Sequence, residues 1–196
     1  MDKYLSYIPD NIDRNRTELW YAVYVRSRHE KKVATEFRQR NIQHFLPLIP
    51  RLHQWKDRKK YVDMPIFPGY VFVRMRLADR LKILSVQGVA WIISFRNMPA
   101  PIPESQVENV RRALTMPELI RPAEYLNEGD PVKIIHGPFR GVTGKLIKKH
   151  GEHQLLVSID LIKQAVSLKI DSSWLKPAKE FSAYDNKREI RAVSSP

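Results

Sequence analysis

The chain has no cysteine among its 196 residues, which removes disulfides, thiolate nucleophiles and Cys-based zinc sites together and fits a reducing compartment. It has no apolar run near the ~18 to 20 residues of a membrane span. The opening MDKYLSYIPDNIDRNRTE lacks the apolar core of a signal peptide. The expectation is a cytoplasmic protein with no membrane partner. Acid is scarce beside base: 21 Asp and Glu face 34 Lys and Arg, for a formal net charge of +13 and a pI near 10.0. That surplus points to nucleic acid, an anionic membrane surface or an acidic protein face.

Enzyme signatures are missing as well. Gly144-Lys145 stands like the end of a P-loop, but Leu146 fills the place of the magnesium-binding Ser or Thr and Phe139 that of the leading Gly. His150-Gly151-Glu152-His153 lacks the i, i+4 histidines that a zincin helix needs, and a polar turn is expected there. There is no Gly-x-Ser-x-Gly, no Gly-x-Gly-x-x-Gly and no carboxylate pair in a recognisable catalytic context. The expectation is a protein that is not an enzyme, with no catalytic residues, no cofactor and no metal.

What is present is 43% apolar residues, enough for packed cores. Residues 1–18 are polar and without periodicity and read as a mobile leader. Trp20 to Val25 alternates and is rich in aromatic and β-branched residues, so it reads as a strand. His29 to Asn41 puts Val33, Ala34 and Phe37 on one stripe and reads as a helix. From Phe45 to Met75, prolines forbid a continuous helix and two extended runs flank the charged tip Lys56 to Lys60 beside Trp55, which predicts a long hairpin. That tip either reaches upstream DNA or keeps an exposed hairpin soluble. A short helix over Ala78 to Val86, a strand over Val89 to Phe95 and a helix over Glu104 to Leu114 complete an α+β sandwich spanning 19–116.

Residues 117–126 are proline-marked and read as a linker, and 127–178 hold short apolar runs between turn residues, the pattern of a small all-β barrel. Gly137, Gly141 and Gly144 are expected to supply positive φ in its turns, and Phe139 to be exposed at one of them. Residues 179–196 read as a mobile tail. Charge is uneven between the parts. Residues 19–116 carry 18 Lys and Arg against 7 Asp and Glu, and 127–178 carry 8 against 5, so the first domain holds the anion-seeking surface.

The segment Phe67-Pro68-Gly69-Tyr70-Val71-Phe72-Val73 is apolar on both strand faces, with Phe67, Val71 and Val73 expected on one side and Tyr70 and Phe72 on the other. Either this is a central strand of a sheet covered on both sides, or one face docks a protein partner through aromatic anchors.

WYAVYVRSRHEKKVA, FPGYVFVRM and GVAWIISFRNMPAPIPESQVENVRRAL resemble, in order and spacing, the N-terminal domain of the NusG family of transcription elongation factors. Gly129 to Gly144 resembles that family's KOW motif, and together the matches span about 19–177. The details are similar to the specialised UpxY and RfaH types, since Asp160-Leu161-Ile162-Lys163 replaces the Phe-Gly-Arg of the general factor.

The resemblance implies a ferredoxin/RNP-like NGN-type α+β sandwich followed by an SH3-like KOW barrel. It implies a monomer that suppresses pausing or termination on selected operons. It also implies that Tyr24, Phe67, Pro68, Tyr70 and Phe72 grip the clamp helices of the RNA polymerase largest subunit. Arg26, Arg28, His29, Lys31, Lys32, Arg80 and Lys82 would contact the non-template DNA strand. Phe139, Ile159 and Leu161 would carry the KOW contact, to a small-subunit ribosomal protein or Rho.

A KOW-type RNA-binding ribosomal or assembly protein is the alternative, and the Phe-Pro-Gly-Tyr strand argues against it. In RfaH the second domain can turn helical. Leu155 to Ile170 supports both helix and strand, and the glycines with Pro138 favour β, joined loosely to the first domain.

Overall fold

The computed structural model describes residues 12–54, 59–123, 129–149 and 152–178. The first part runs β1 (Leu19–Val25), α1 (Glu30–Gln39), β2 (His44–Phe45), β3 (Leu48–Gln54), β4 (Lys59–Pro65), β5 (Tyr70–Met75), α2 (Arg80–Leu84), β6 (Val89–Ile92), β7 (Ser94–Phe95), β8 (Met98–Pro99), β9 (Pro101–Ile102) and α3 (Glu104–Ala113). The second runs β10 (Ile120–Ala123), β11 (Asp130–Ile134), β12 (Thr143–Lys149), β13 (Glu152–Ile159), β14 (Gln164–Lys169) and β15 (Leu175–Pro177). This is the α+β domain followed by an all-β unit that the pattern predicted.

The main sheet has the order β2-β5-β1-β6, with β9 also on β1. β1 pairs antiparallel with β5 from Leu19↔Met75 to Tyr24↔Tyr70. It is central and covered on both faces, which is why both of its alternating sets are apolar. Tyr21, Val23 and Val25 pack with Val71 and Val73 of β5 and with Val33 and Phe37 of α1. Trp20 and Ala22 pack with Phe72 and with Val107, Val110 and Ala113 of α3.

Phe67 falls on the Phe72 side, not with Val71 and Val73 as strict alternation predicts. The chain turns at Gly69, φ +83°, before β5 begins at Tyr70, so the two-residue period does not extend back to Phe67.

The predicted long hairpin is instead two features. β3 and β4 form a separate two-stranded ribbon, while β5 belongs to the main sheet. The strand expected over Val89 to Phe95 is broken between β6 and β7, and among the described residues β7 pairs with β8 alone. Within the expected leader, the Arg14 carbonyl accepts the Leu77 N–H at 2.8 Å. Residues 1–11, the tip residues 55–58, and the tail 179–196 lie outside the described residues, as do His150 and Gly151 of the expected polar turn.

The second unit is a six-stranded antiparallel sheet in the order β10-β14-β13-β12-β11-β15. The stretch expected as a linker carries β10, whose Ile120 pairs opposite Leu168 of β14 and is buried. Residues 124–128 lie outside the described residues. Leu155 to Ile170 forms β13 and β14, paired from Gln154↔Lys169 to Ile159↔Gln164, so its β-branched residues decide for strand. Gly137 and Gly141 do have positive φ, whereas Gly144 does not. A Cβ at Gly144 would collide with the Leu156 carbonyl of β13, so close backbone approach demands that glycine instead.

The loose connection expected between the two units gives way to a built contact. α3 lies between the main sheet and β13, and one continuous apolar cluster runs from Trp20 and Phe72 through Val107 and Val110 to Phe139, Val142 and Ile159.

Candidate functional site

Across the ends of three neighbouring strands, Tyr70 (β5), Tyr24 (β1) and Trp91 (β6) form a row, since Tyr24 pairs with both of the others. Tyr24 stacks on Trp91 with centroids 4.4 Å apart and rings inclined by 21°, and meets Tyr70 edge-on at 5.4 Å and 71°. Such contacts fix ring orientation and contribute about 0.5–1.5 kcal/mol each beyond area burial. Trp91 is 52% exposed, and Tyr24 and Tyr70 are half-buried. Burial and the neighbouring Tyr24 raise the Tyr70 phenol above its ordinary pKa, so it stays a neutral donor.

The turn before Tyr70 is held from both sides. The Gly69 N–H donates to the buried Glu30 Oε1 at 2.8 Å, and the Gly69 carbonyl accepts the Val25 N–H at 2.9 Å. A Cβ at Gly69 would lie 3.0 Å from the Tyr24 ring, so glycine is what allows that ring to lie across the turn. Pro68 is exposed beside it. Phe67 and Phe72 are 1% and 0% exposed and meet edge-on at 6.0 Å. The structure therefore places these two in the core beside the row, in the cluster that Tyr70 packs against, rather than on a surface.

The basic residues gather around α1 and α2. Arg26 and Arg28 are exposed between β1 and α1, with Arg28 at φ +60°. Lys31 is exposed on α1, and Lys32 donates to Gln87 at 3.1 Å, tying α1 to the residues after α2. His29 is half-buried, with Nδ1 2.9 Å from the Ser27 carbonyl. Lys82 pairs with Asp79 at 2.8 Å, as does Arg76. Those two partners hold the Asp79 carboxyl below its ordinary range, chiefly through their hydrogen bonds. Arg80 is exposed between them in sequence. The arrangement can bind polyanions. Among the described residues no cluster of His, Asp and Glu could hold a metal ion.

In the β unit, Phe139 is 1% and Ile159 0% exposed, and Leu161 packs half-buried against the same cluster. Phe139 was expected at the surface; the apolar cluster shared with α3 draws it inside. Residues that pattern reading missed are Trp91, Glu30, Gln106 and Asn109. Trp91 carried a signal, an aromatic in a short strand that could pair beside Tyr24. The other three are ordinary polar residues on amphipathic helices and carried none.

A family model described as "Transcription termination factor nusG" matches residues 18–111, the domain that bears the aromatic row. Over this domain the chain is similar to the NusG family. The Helicobacter pylori (strain J99) "Transcription termination/antitermination protein NusG" is 26% identical over 103 residues, 52% of this chain. The chain spans 58% of that relative's length. The Thermus thermophilus protein of the same description is 25% identical over 163 residues, covering 71% of this chain and 89% of the relative. A solved structure described as "Domain interaction in Thermotoga maritima NusG" aligns over 83% of this chain and 98% of its own, with 22% identity and a TM-score of 0.49. Among the described residues no helix is long and apolar enough to cross a membrane.

Proposed function

We propose that this chain is a transcription elongation and antitermination factor whose first domain docks on the clamp helices of RNA polymerase and suppresses pausing or termination on selected operons. The observation that carries this reading is the row Tyr70–Tyr24–Trp91, ordered by stacking yet open to solvent, on a NusG-family domain. Aromatic side chains with a polar edge suit a helical tip, because ring burial supplies the energy while hydroxyls stay hydrated at the rim. Pro68 is exposed beside the row, and Tyr70 packs against the buried cluster that holds Phe67 and Phe72.

Arg26, Arg28, Lys31, Lys32 and Arg80, with His29 and Lys82 beside them, are assigned to the non-template strand, where phosphate neutralisation gives affinity that falls with salt. The second domain's partner, a small-subunit ribosomal protein or Rho, is proposed through Leu161 and its surroundings, since Phe139 and Ile159 are buried.

The test is capture of a clamp-helix fragment by the full-length chain in the absence of nucleic acid. Binding by the wild type that is lost in a folded Tyr70→Ala variant supports the reading. Equal capture by both proteins rejects the row as the docking face, and no capture by the wild type rejects the partner.

A further inference from the structure

A cleft of about 420 Å³ opens where the start of β3, in the first domain, meets the residues that lead into β10, in the second. Ligand sites favour such junctions and commonly measure about 300–1,000 Å³. Four apolar residues line the cleft, the buried Ile49 and Ile120 with Pro50 and Pro117. Three charged residues join them: Arg51, Glu118 and Arg121.

These charges are not spent on one another. Arg121 donates one nitrogen, Nη1, to the carbonyls of Glu118 and Ile120, which pins its guanidinium at the cleft and leaves Nε and Nη2 without a bond among the described residues. A pinned fork loses little freedom when it takes a ligand. Arg51 and the Glu118 carboxylate form no ion pair among the described residues, and both side chains are exposed.

The set narrows the occupant. Two guanidiniums suit phosphate oxygens, which they grip in pairs. A carboxylate in the same cleft repels a purely anionic ligand, so the ligand must also offer donors, and Glu118 is an acceptor only. Among nucleobases guanine alone presents two adjacent donors, N1–H and N2–H, on its pairing edge; adenine and cytosine set an acceptor beside their amine. The prolines and isoleucines offer apolar surface to the faces of the ring.

We propose that this cleft binds a guanosine phosphate, with the base edge on Glu118 and the phosphates on Arg51 and Arg121. The site is separate from the aromatic row and from the basic residues of α1 and α2. It does not rest on the polymerase reading, because its assay contains no polymerase.

The test titrates the full-length chain by calorimetry with guanosine, inosine and adenosine diphosphates. Two tetranucleotide RNAs, one with a single guanosine and one of adenosine alone, distinguish a free nucleotide from one within a strand. Guanosine diphosphate should bind about tenfold more tightly than inosine diphosphate, which lacks the exocyclic amine, and more tightly still than adenosine diphosphate. Arg51→Gln and Arg121→Gln should each weaken it about tenfold. Glu118→Gln should bring the guanosine and inosine affinities together. Arg51 pairs with nothing in the fold, so its variant should melt as the wild type does and keeps the test valid if Arg121→Gln melts early. Tighter binding of the guanosine tetranucleotide than of the diphosphate, with the same losses in the variants, assigns the site to a strand; the reverse order assigns it to the free nucleotide. No saturation by either guanosine ligand at millimolar concentration overturns the proposal. Equal affinities for guanosine and adenosine diphosphates, or affinity unchanged in Arg51→Gln, overturn it too.

Discussion

Gln106 of α3 and Asp160, just after β13, are joined by two hydrogen bonds running in opposite directions. The Gln106 Nε2 donates to the Asp160 Oδ2 at 2.9 Å, and the Asp160 backbone N–H donates to the Gln106 Oε1 at 3.1 Å. One turn along the same helix face, Asn109 repeats the pattern with Thr143: its Nδ2 donates to Oγ1 at 2.7 Å and its Oδ1 accepts the Thr143 N–H at 3.2 Å. Each amide uses both ends on a single partner residue, which fixes rotation as well as distance. The two domains are therefore keyed together rather than merely in apolar contact.

Truncating both amides should loosen this key without unfolding either domain. Each lost hydrogen bond costs about 0.5–1.5 kcal/mol, more where the acceptor is a carboxylate, so Gln106→Ala/Asn109→Ala removes several kcal/mol from the contact. Asn109→Ala alone also leaves the Thr143 N–H without its side-chain acceptor. The expected outcome is faster proteolysis between residues 114 and 130 and faster independent tumbling of the two domains by NMR relaxation. Relaxation identical to the wild type would show that the apolar cluster alone holds the pair.

Glu30 holds the turn that presents Tyr70. It lies in the first turn of α1, where a carboxylate is favoured by the helix dipole, and it is buried with the Gly69 N–H donating to it. Glu30→Ala leaves that N–H buried and unpaired, at about 1–3 kcal/mol, and frees the turn under the aromatic row. A drop in melting temperature should accompany weaker clamp-helix capture, and Glu30→Gln, which retains an acceptor oxygen, should recover much of both. Full capture by Glu30→Ala would separate the turn from docking.

These residues mark where pattern reading ends. The strand β1 and the helices α1 and α3 were legible because apolar periodicity is imposed by burial, and burial is strong there, whereas Leu155 to Ile170 fitted helix and strand alike until its pairing as β13 and β14 decided it. The aromatic row was half legible: Tyr24 and Tyr70 stand in recognisable segments, but the position of Trp91 depends on strand pairing, which sequence does not encode locally. Phe67 and Phe72 look identical to surface anchors in sequence. Only the packing of α3 in the same cluster decides that they are core. Glu30, Gln106 and Asn109 act through partners far along the chain, at separations of 39, 54 and 34 residues, and nothing in their own surroundings announces it.

The difference between core and face is measurable. Phe72→Ala should cost about 3–5 kcal/mol, the usual loss for a buried phenylalanine, and its binding defect should track unfolding. Tyr70→Ala, at a half-buried position, should keep a cooperative melt while losing about 2 kcal/mol or more of clamp-helix affinity. Parallel thermal melts and binding isotherms distinguish the two. A Tyr70→Ala protein that unfolds as Phe72→Ala does would place the tyrosine in the core.

The basic residues of α2 are not equivalent, and Asp79 is the reason. Its carboxylate engages both Lys82 and Arg76 at 2.8 Å, which screens their charge from a passing phosphate, whereas Arg80 is exposed on the same short helix. Arg80→Gln should therefore lower affinity for single-stranded DNA and flatten its salt dependence by about 0.7, the slope of one contact, while Lys82→Gln changes both less. Asp79→Asn should act in the opposite direction by releasing two cations. The sign with pH agrees: Asp79 titrates below the ordinary carboxylate range, so its pairing is complete above that range and is lost as pH falls through the depressed value. Asp79→Asn should thus bind more tightly than the wild type at neutral pH, with the gap closing in acid. Equal affinities at neutral pH would mean that the Asp79 pairs leave Lys82 and Arg76 as available to DNA as unpaired residues are.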